Sequence, residues 1–117
     1  MRALIVDDNE EMRALARLNL ELAGIEVVGF AGDAVAGISR WLEERPDVVV
    51  LDHRMPGHNG LDAAESILGK DPTARVLLFS AYLDDATVAR AASLGVTCVP
   101  KGEVGTLVEL AVGRIAA

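Results

Sequence analysis

A lone cysteine is too few for an internal bridge: Cys98 is the only one in 117 residues, which fits a reducing compartment. Aromatic residues are nearly as scarce at 3%, so any core must be packed from aliphatic side chains. Basic residues are outnumbered, 11 Lys and Arg against 18 Asp and Glu. The resulting charge of −7 repels a phosphate backbone and argues against direct nucleic-acid binding. Long apolar runs are missing too. The first, Ala3 to Val6, meets Asp7 and Asp8 at once and is too short for a signal peptide or a membrane span, so a cytoplasmic protein is expected. Repeats, low-complexity tracts and linkers are absent, which leaves a single domain over residues 1–117 as the expected organisation.

What is present is apolar material, 51% of the chain, in short blocks. Branched aliphatics concentrate at Ala3 to Val6, Val48 to Leu51, Val76 to Phe79 and Val96 to Val99, with a weaker run from Ile25 to Phe30. Unbroken runs without alternation suit strands buried on both faces. Helical spacing fills the intervals. The first helix is expected to bury Met12, Leu15, Ala16, Leu22 and Ala23, with Asn9 as its cap and Glu10 and Glu11 at the positive end of its dipole. A second, with Ala34, Ile38, Trp41 and Leu42, follows Asp33 and stops before Pro46. A third runs from about Leu61 to Leu68, and a fourth follows Asp84 and Asp85 and ends near Gly95. The last carries Val104, Leu107, Val108, Ala111 and Ile115. Strict alternation of strand and helix predicts a five-stranded, doubly wound parallel α/β sheet with helices on both faces. Sites in such sheets form at the carboxyl ends of strands, where the winding reverses.

Polar residues gather at those ends. Asp7 and Asp8 follow the first run, Asp52 closes the third, Ser80 follows the fourth and Lys101 the fifth. Alone, Asp7 and Asp8 would read as acids at a helix start, where such residues contribute about 0.5–2 kcal/mol. Asp52 at a neighbouring strand end changes that reading, because three clustered carboxylates repel one another unless a cation lies among them. Magnesium suits such a site: it takes oxygen ligands and is commonly held by one or two carboxylates together with a phosphate. One acid can then attack phosphorus while the others hold metal, and Ser80 and Lys101 can meet the phosphoryl oxygens.

Asp7-Asp8, Asp52 with Met55-Pro56-Gly57 and Gly60 behind it, Ser80-Ala81 and Pro100-Lys101 occur in that order. In this the chain resembles the receiver domains of two-component response regulators. The resemblance covers nearly the whole sequence. It implies the flavodoxin-like strand order 2-1-3-4-5 and an Asp52 that accepts phosphate from a histidine kinase or histidine phosphotransfer protein. It also implies Mg²⁺ held by Asp8 directly, by Asp7 through water, by Asp52 and by the backbone carbonyl of Arg54. Ser80 would move toward the phosphoryl group and Lys101 would pair with it. The partner downstream would be a protein or an output domain, and a phosphorylation-dependent dimer is among the associations the family admits.

Two positions depart from the family's pattern: Cys98 stands where many members carry a switch aromatic, and Gly102 where many carry proline. Loop 81–85, with Tyr82, is then a candidate route for the signal. Arg54 overhangs the path of a hydrolytic water, from which slow loss of phosphate is expected. An enzyme alternative is a small aspartate-nucleophile, Mg-dependent phosphohydrolase, but such enzymes need an acid where Arg54 stands. A flavin carrier on the same fold would need a Ser, Thr and Gly-rich phosphate loop where this chain has Asp7-Asp8-Asn9-Glu10-Glu11. His53 and His58 are read as loop residues, Cys98 as a small core residue and Trp41 as packing.

Overall fold

A computed structural model describes residues 1–114. Strands β1 (Arg2–Val6), β2 (Glu26–Ala31), β3 (Val48–Leu51), β4 (Arg75–Ser80) and β5 (Thr97–Pro100) alternate with helices α1 (Glu10–Leu22), α2 (Ala34–Glu44), α3 (Gly60–Lys70), α4 (Asp85–Leu94) and α5 (Val104–Val112). The strands form one parallel sheet in the order β2-β1-β3-β4-β5. The doubly wound topology and the 2-1-3-4-5 order are therefore as expected. Gly113 closes α5 in the left-handed region at φ 81°, and the expected Ile115 position lies outside the described residues.

Alternation along the strands divides the core in two. Leu4, Val6, Val49, Leu51, Val76 and Leu78 pack with Trp41, Leu61, Ile67 and Ala91 of α2, α3 and α4. Ala3, Ile5, Val48, Val50, Leu77 and Phe79 turn the other way, onto Ala16 and Leu20 of α1 and Leu107, Leu110 and Ala111 of α5. Both faces being dry is why the runs show no polar alternation.

Short side chains set the helix boundaries. Asn9, Asp33 and Asp84 each accept a bond from a backbone N–H in the first turn of α1, α2 and α4, at 3.0, 2.8 and 2.8 Å. α3 starts with a capping box that the sequence reading did not identify, in which Asn59 and Asp62 each accept the other's backbone N–H. At the far end of α2 the chain leaves the helix through Arg45 at φ 46°, directly before Pro46.

The buried face of α1 differs from the expected one. Ala16 and Leu20 are buried and Met12 packs partly against them, whereas Leu15 and Leu22 face solvent, Leu22 at 78% exposure. Leu42 of α2 is likewise exposed, and that helix buries Ala34, Gly37 and Trp41 instead, with Gly37 close against Val6. Leu20→Ala should accordingly cost about 2–5 kcal/mol of unfolding free energy in urea titrations, and Leu22→Ala less than about 0.5 kcal/mol. The reverse ranking would restore the original face.

Candidate functional site

The sheet ladder runs one step past the strand ends and carries the site residues with it. Asp7 N–H donates to the Ala31 carbonyl at 2.9 Å, Asp52 N–H to Val6 at 2.8 Å and Lys101 N–H to Ser80 at 3.0 Å. Backbone pairing between neighbouring strands thus places Asp7, Asp52 and Lys101 on one rim, at the reversal of winding beside β1.

Asp7, Asp8 and Asp52 each offer a carboxylate oxygen, and these oxygens lie within 4.8 Å of one another. Asp8 is exposed at the mouth, while Asp7 and Asp52 are buried. Each buried acid is held at both oxygens. Asp7 Oδ1 accepts the Asn9 N–H at 2.9 Å and Asp52 Oδ1 the His53 N–H at 2.8 Å. Their Oδ2 atoms share Lys101, whose Nζ lies 2.8 Å from Asp7 and 3.2 Å from Asp52. Lys101, expected to meet a phosphate oxygen, here bridges the two acids.

The electrostatics follow from that arrangement. Burial pushes the Asp52 carboxyl above its ordinary value of 3.8 and the Asp7 charge adds to the push; Lys101 and the His53 N–H oppose it without cancelling it. For Lys101, burial disfavours the charged form, but the bond to Asp7 and the charges of Asp52 and Asp7 outweigh it and hold the ammonium above its ordinary value. Burial, then the charge of Arg90, holds His53 below its usual range, so it is neutral near physiological pH.

The donor set fits magnesium: all ligating atoms are oxygens, two of the acids are fixed by backbone bonds, and the third is open to solvent. One lysine against three carboxylates leaves a negative surplus that a divalent ion would match.

Of the remaining residues named from the sequence, Ser80 is buried at the end of β4, its Oγ donating to the Tyr82 carbonyl at 3.3 Å and accepting the Tyr82 N–H at 3.4 Å. The Arg54 guanidinium lies 4.2 Å from the centre of the Tyr82 ring. Both border a groove of about 480 Å³ beside Asp8, lined also by Met55, Asn59 and Asp84. Cys98 is half-buried against the α4 side of the core, where burial raises its thiol pKa. No cis peptide bond occurs among the described residues.

Two features of the site, at Arg13 and Arg90, escaped the sequence reading, while Gly60, named there behind Asp52, gains a physical reason. Arg13 Nη1 donates to the Asp7 carbonyl at 2.8 Å, from a helical position with no distinguishing pattern. Arg90 of α4 reaches Asp62 at 2.9 Å and Glu65 at 3.0 Å, tying α4 to α3 next to the site loop. Gly60 stands where a Cβ would collide with the Asp52 carbonyl oxygen, and its N–H donates to the His53 carbonyl at 2.8 Å. Only glycine lets α3 start this close to the strand end.

A doubly wound sheet with an acidic, lysine-bridged pocket at its carboxyl rim defines an α/β domain built around an oxygen-rich acidic pocket. A family model for the response regulator receiver domain matches residues 3–103, and the chain belongs to that family. The chemotaxis protein CheY of Thermotoga maritima is 37% identical over 94 residues, covering 80% of this chain and 78% of that one. A protein-glutamate methylesterase/protein-glutamine glutaminase of Haloarcula marismortui is 41% identical over 85 residues, 73% of this chain, but the match spans only 23% of that protein's length. Among solved structures, the response regulator domain of Thermotoga maritima CheB superposes with a TM-score of 0.88 at 27% identity, covering 100% of this chain and 98% of that one. Receiver domains are signalling domains of two-component and chemotaxis systems and bind Mg²⁺ at an acidic pocket. No described helix is long and apolar enough to cross a membrane.

Because the Asp52 pKa is higher folded than unfolded, its ionisation opposes folding in ion-free buffer. The penalty is absent below 3.8 and complete once pH has passed the raised folded value. Asp52→Asn should therefore raise the denaturant midpoint at neutral pH in EDTA, and the gain should vanish on acidification toward that ordinary value. Equal midpoints at neutral pH would contradict the burial-driven shift.

Proposed function

We propose that this chain is a phosphorelay switch in which Asp52 accepts a phosphoryl group from a histidine kinase or a histidine phosphotransfer protein. The observation that carries the reading is the meeting of Asp7, Asp8 and Asp52 within ligand distance while Lys101 touches the first and last of them. Asp7, Asp8, Asp52 and the Arg54 carbonyl would hold Mg²⁺, which supplies neutralising charge to the phosphoryl oxygens during transfer.

An Asp52 carboxylate oxygen attacks phosphorus as the donor's nitrogen–phosphorus bond breaks. The electron pair stays on the donor imidazole, which takes its proton from solvent. The Asp52 oxygen bonded to Lys101 already has a cation beside it, and the lysine follows the charge outward onto a phosphoryl oxygen. Ser80, released from its two long contacts to Tyr82, donates its hydroxyl to another.

The proposed unit is one receiver domain over residues 1–117, acting in the cytoplasm on a downstream protein or output domain, with a phosphorylation-dependent dimer as one form of output. Turnover of external substrate is not part of the reading. The aspartate-nucleophile phosphohydrolase weighed above would need a proton donor two residues after its nucleophile, and Arg54 holds that position.

Incubation with acetyl phosphate and Mg²⁺ should add one phosphoryl group to the wild type by intact mass and none to Asp52→Asn; an adduct that survives in the variant would move the acceptor elsewhere. Arg54, at the mouth, pairs with the phosphoryl group and excludes water. Losing one such contact, about 1.4 kcal/mol, should make Arg54→Asn shed phosphate about tenfold faster. An unchanged half-life would remove Arg54 from that role.

A further inference from the structure

Tyr82 is tied down twice, to Ser80 at the end of β4 and to Arg54 two residues after Asp52. Its backbone N–H and carbonyl contact the Ser80 hydroxyl at 3.4 and 3.3 Å, the long end of the hydrogen-bond range. The residue is 51% exposed, and its ring lies under the Arg54 guanidinium at 4.2 Å. Arg54 belongs to the loop after β3 and Tyr82 to the loop after β4, so the stack joins two loops across the mouth of the groove beside Asp8.

We infer that a phosphoryl group on Asp52 takes both tethers from Tyr82, and that release of this one side chain and its loop is how the chain reports its phosphorylation. The inference rests on the reading of Asp52 as phosphoacceptor. An exposed cation–π contact is weak, whereas a guanidinium on a phosphoryl dianion makes charge-assisted bonds, so the phosphoryl group wins Arg54. The Ser80 hydroxyl has only long contacts to give up for a charged acceptor. Tyr82 stands two residues before Asp84, the cap of α4, so freedom gained by the ring and its loop reaches the start of that helix.

The side chain that would move in a buried-aromatic switch is missing here. Position 98 is a half-buried cysteine, too small to vacate or fill a ring-sized space. Phe79, the ring nearest in sequence, is 2% exposed in the α1–α5 half of the core, on the opposite face of the sheet. Tyr82 is the aromatic that adjoins both Ser80 and Arg54.

Tyr82 is the only tyrosine in the chain, so fluorotyrosine labelling gives a single fluorine NMR resonance. In the intact chain, beryllofluoride with Mg²⁺ should move that resonance toward its solvent-exposed position. Arg54→Ala should begin partly shifted and show at most half the wild-type displacement on activation. Acetyl phosphate labelling read by intact mass is run alongside. A phosphorylated wild type whose resonance stays put overturns the release of Tyr82 and leaves Asp52 as acceptor. A full displacement in Arg54→Ala overturns the stack as a tether. No mass adduct and no displacement would sink the phosphoacceptor reading, and the inference with it. Asp52→Asn should give neither signal.

Discussion

Two buried carboxylates facing each other across one lysine set the conditions for the rest of this molecule. Asp7 and Asp52 are carried to that position by the sheet itself, since each continues the backbone ladder past the end of its strand. Buried like charges are costly unless neutralised. The Lys101 ammonium, at 2.8 and 3.2 Å, offsets part of that cost and explains how the protein can fold with the pocket intact. It does not offset all of it. Asp8 adds a third acid at the rim, and Asp52 still resists ionisation. The remaining surplus is negative charge of the size that a divalent cation would match.

Around this centre the loops are shaped by what they must leave open. The loop after β3 returns to start α3 against the Asp52 carbonyl, which a glycine at position 60 permits and a Cβ would forbid. The Asn59–Asp62 box then fixes the first turn of α3, and Arg90 joins that turn to α4. The loop that follows Asp52 is thereby tied to two helices, α3 and α4. The groove beside Asp8 is bordered by residues from both loops, Arg54 and Tyr82 among them.

The strands were easy to read because central parallel strands are dry on both faces, and runs such as Val48-Val49-Val50-Leu51 have few other uses. Site residues at strand ends were legible for the same reason: once the strands are known, their first polar successors are known too. Helix α1 was harder. Its segment carries Leu15, Leu18, Leu20 and Leu22, so leucine occurs around much of its circumference and periodicity alone does not select a face. Contact with Ile5 and with α5 decides in favour of Ala16 and Leu20, and that information is tertiary. The Arg54–Tyr82 stack and the bridging position of Lys101 were illegible for a related reason, since each joins side chains whose meeting depends on how separate loops close over the sheet.

Calorimetric titration of Mg²⁺ into the wild type and Asp8→Asn is the most direct measurement of whether surplus negative charge at this rim constitutes a cation site. Asp8 is exposed and at the mouth, so its replacement leaves the buried Asp7–Lys101–Asp52 bridge in place. One ion per wild-type chain, with binding greatly weakened in the variant, is the result a cation-centred pocket requires. A wild type that takes up no Mg²⁺, or a variant that binds it equally well, would contradict it.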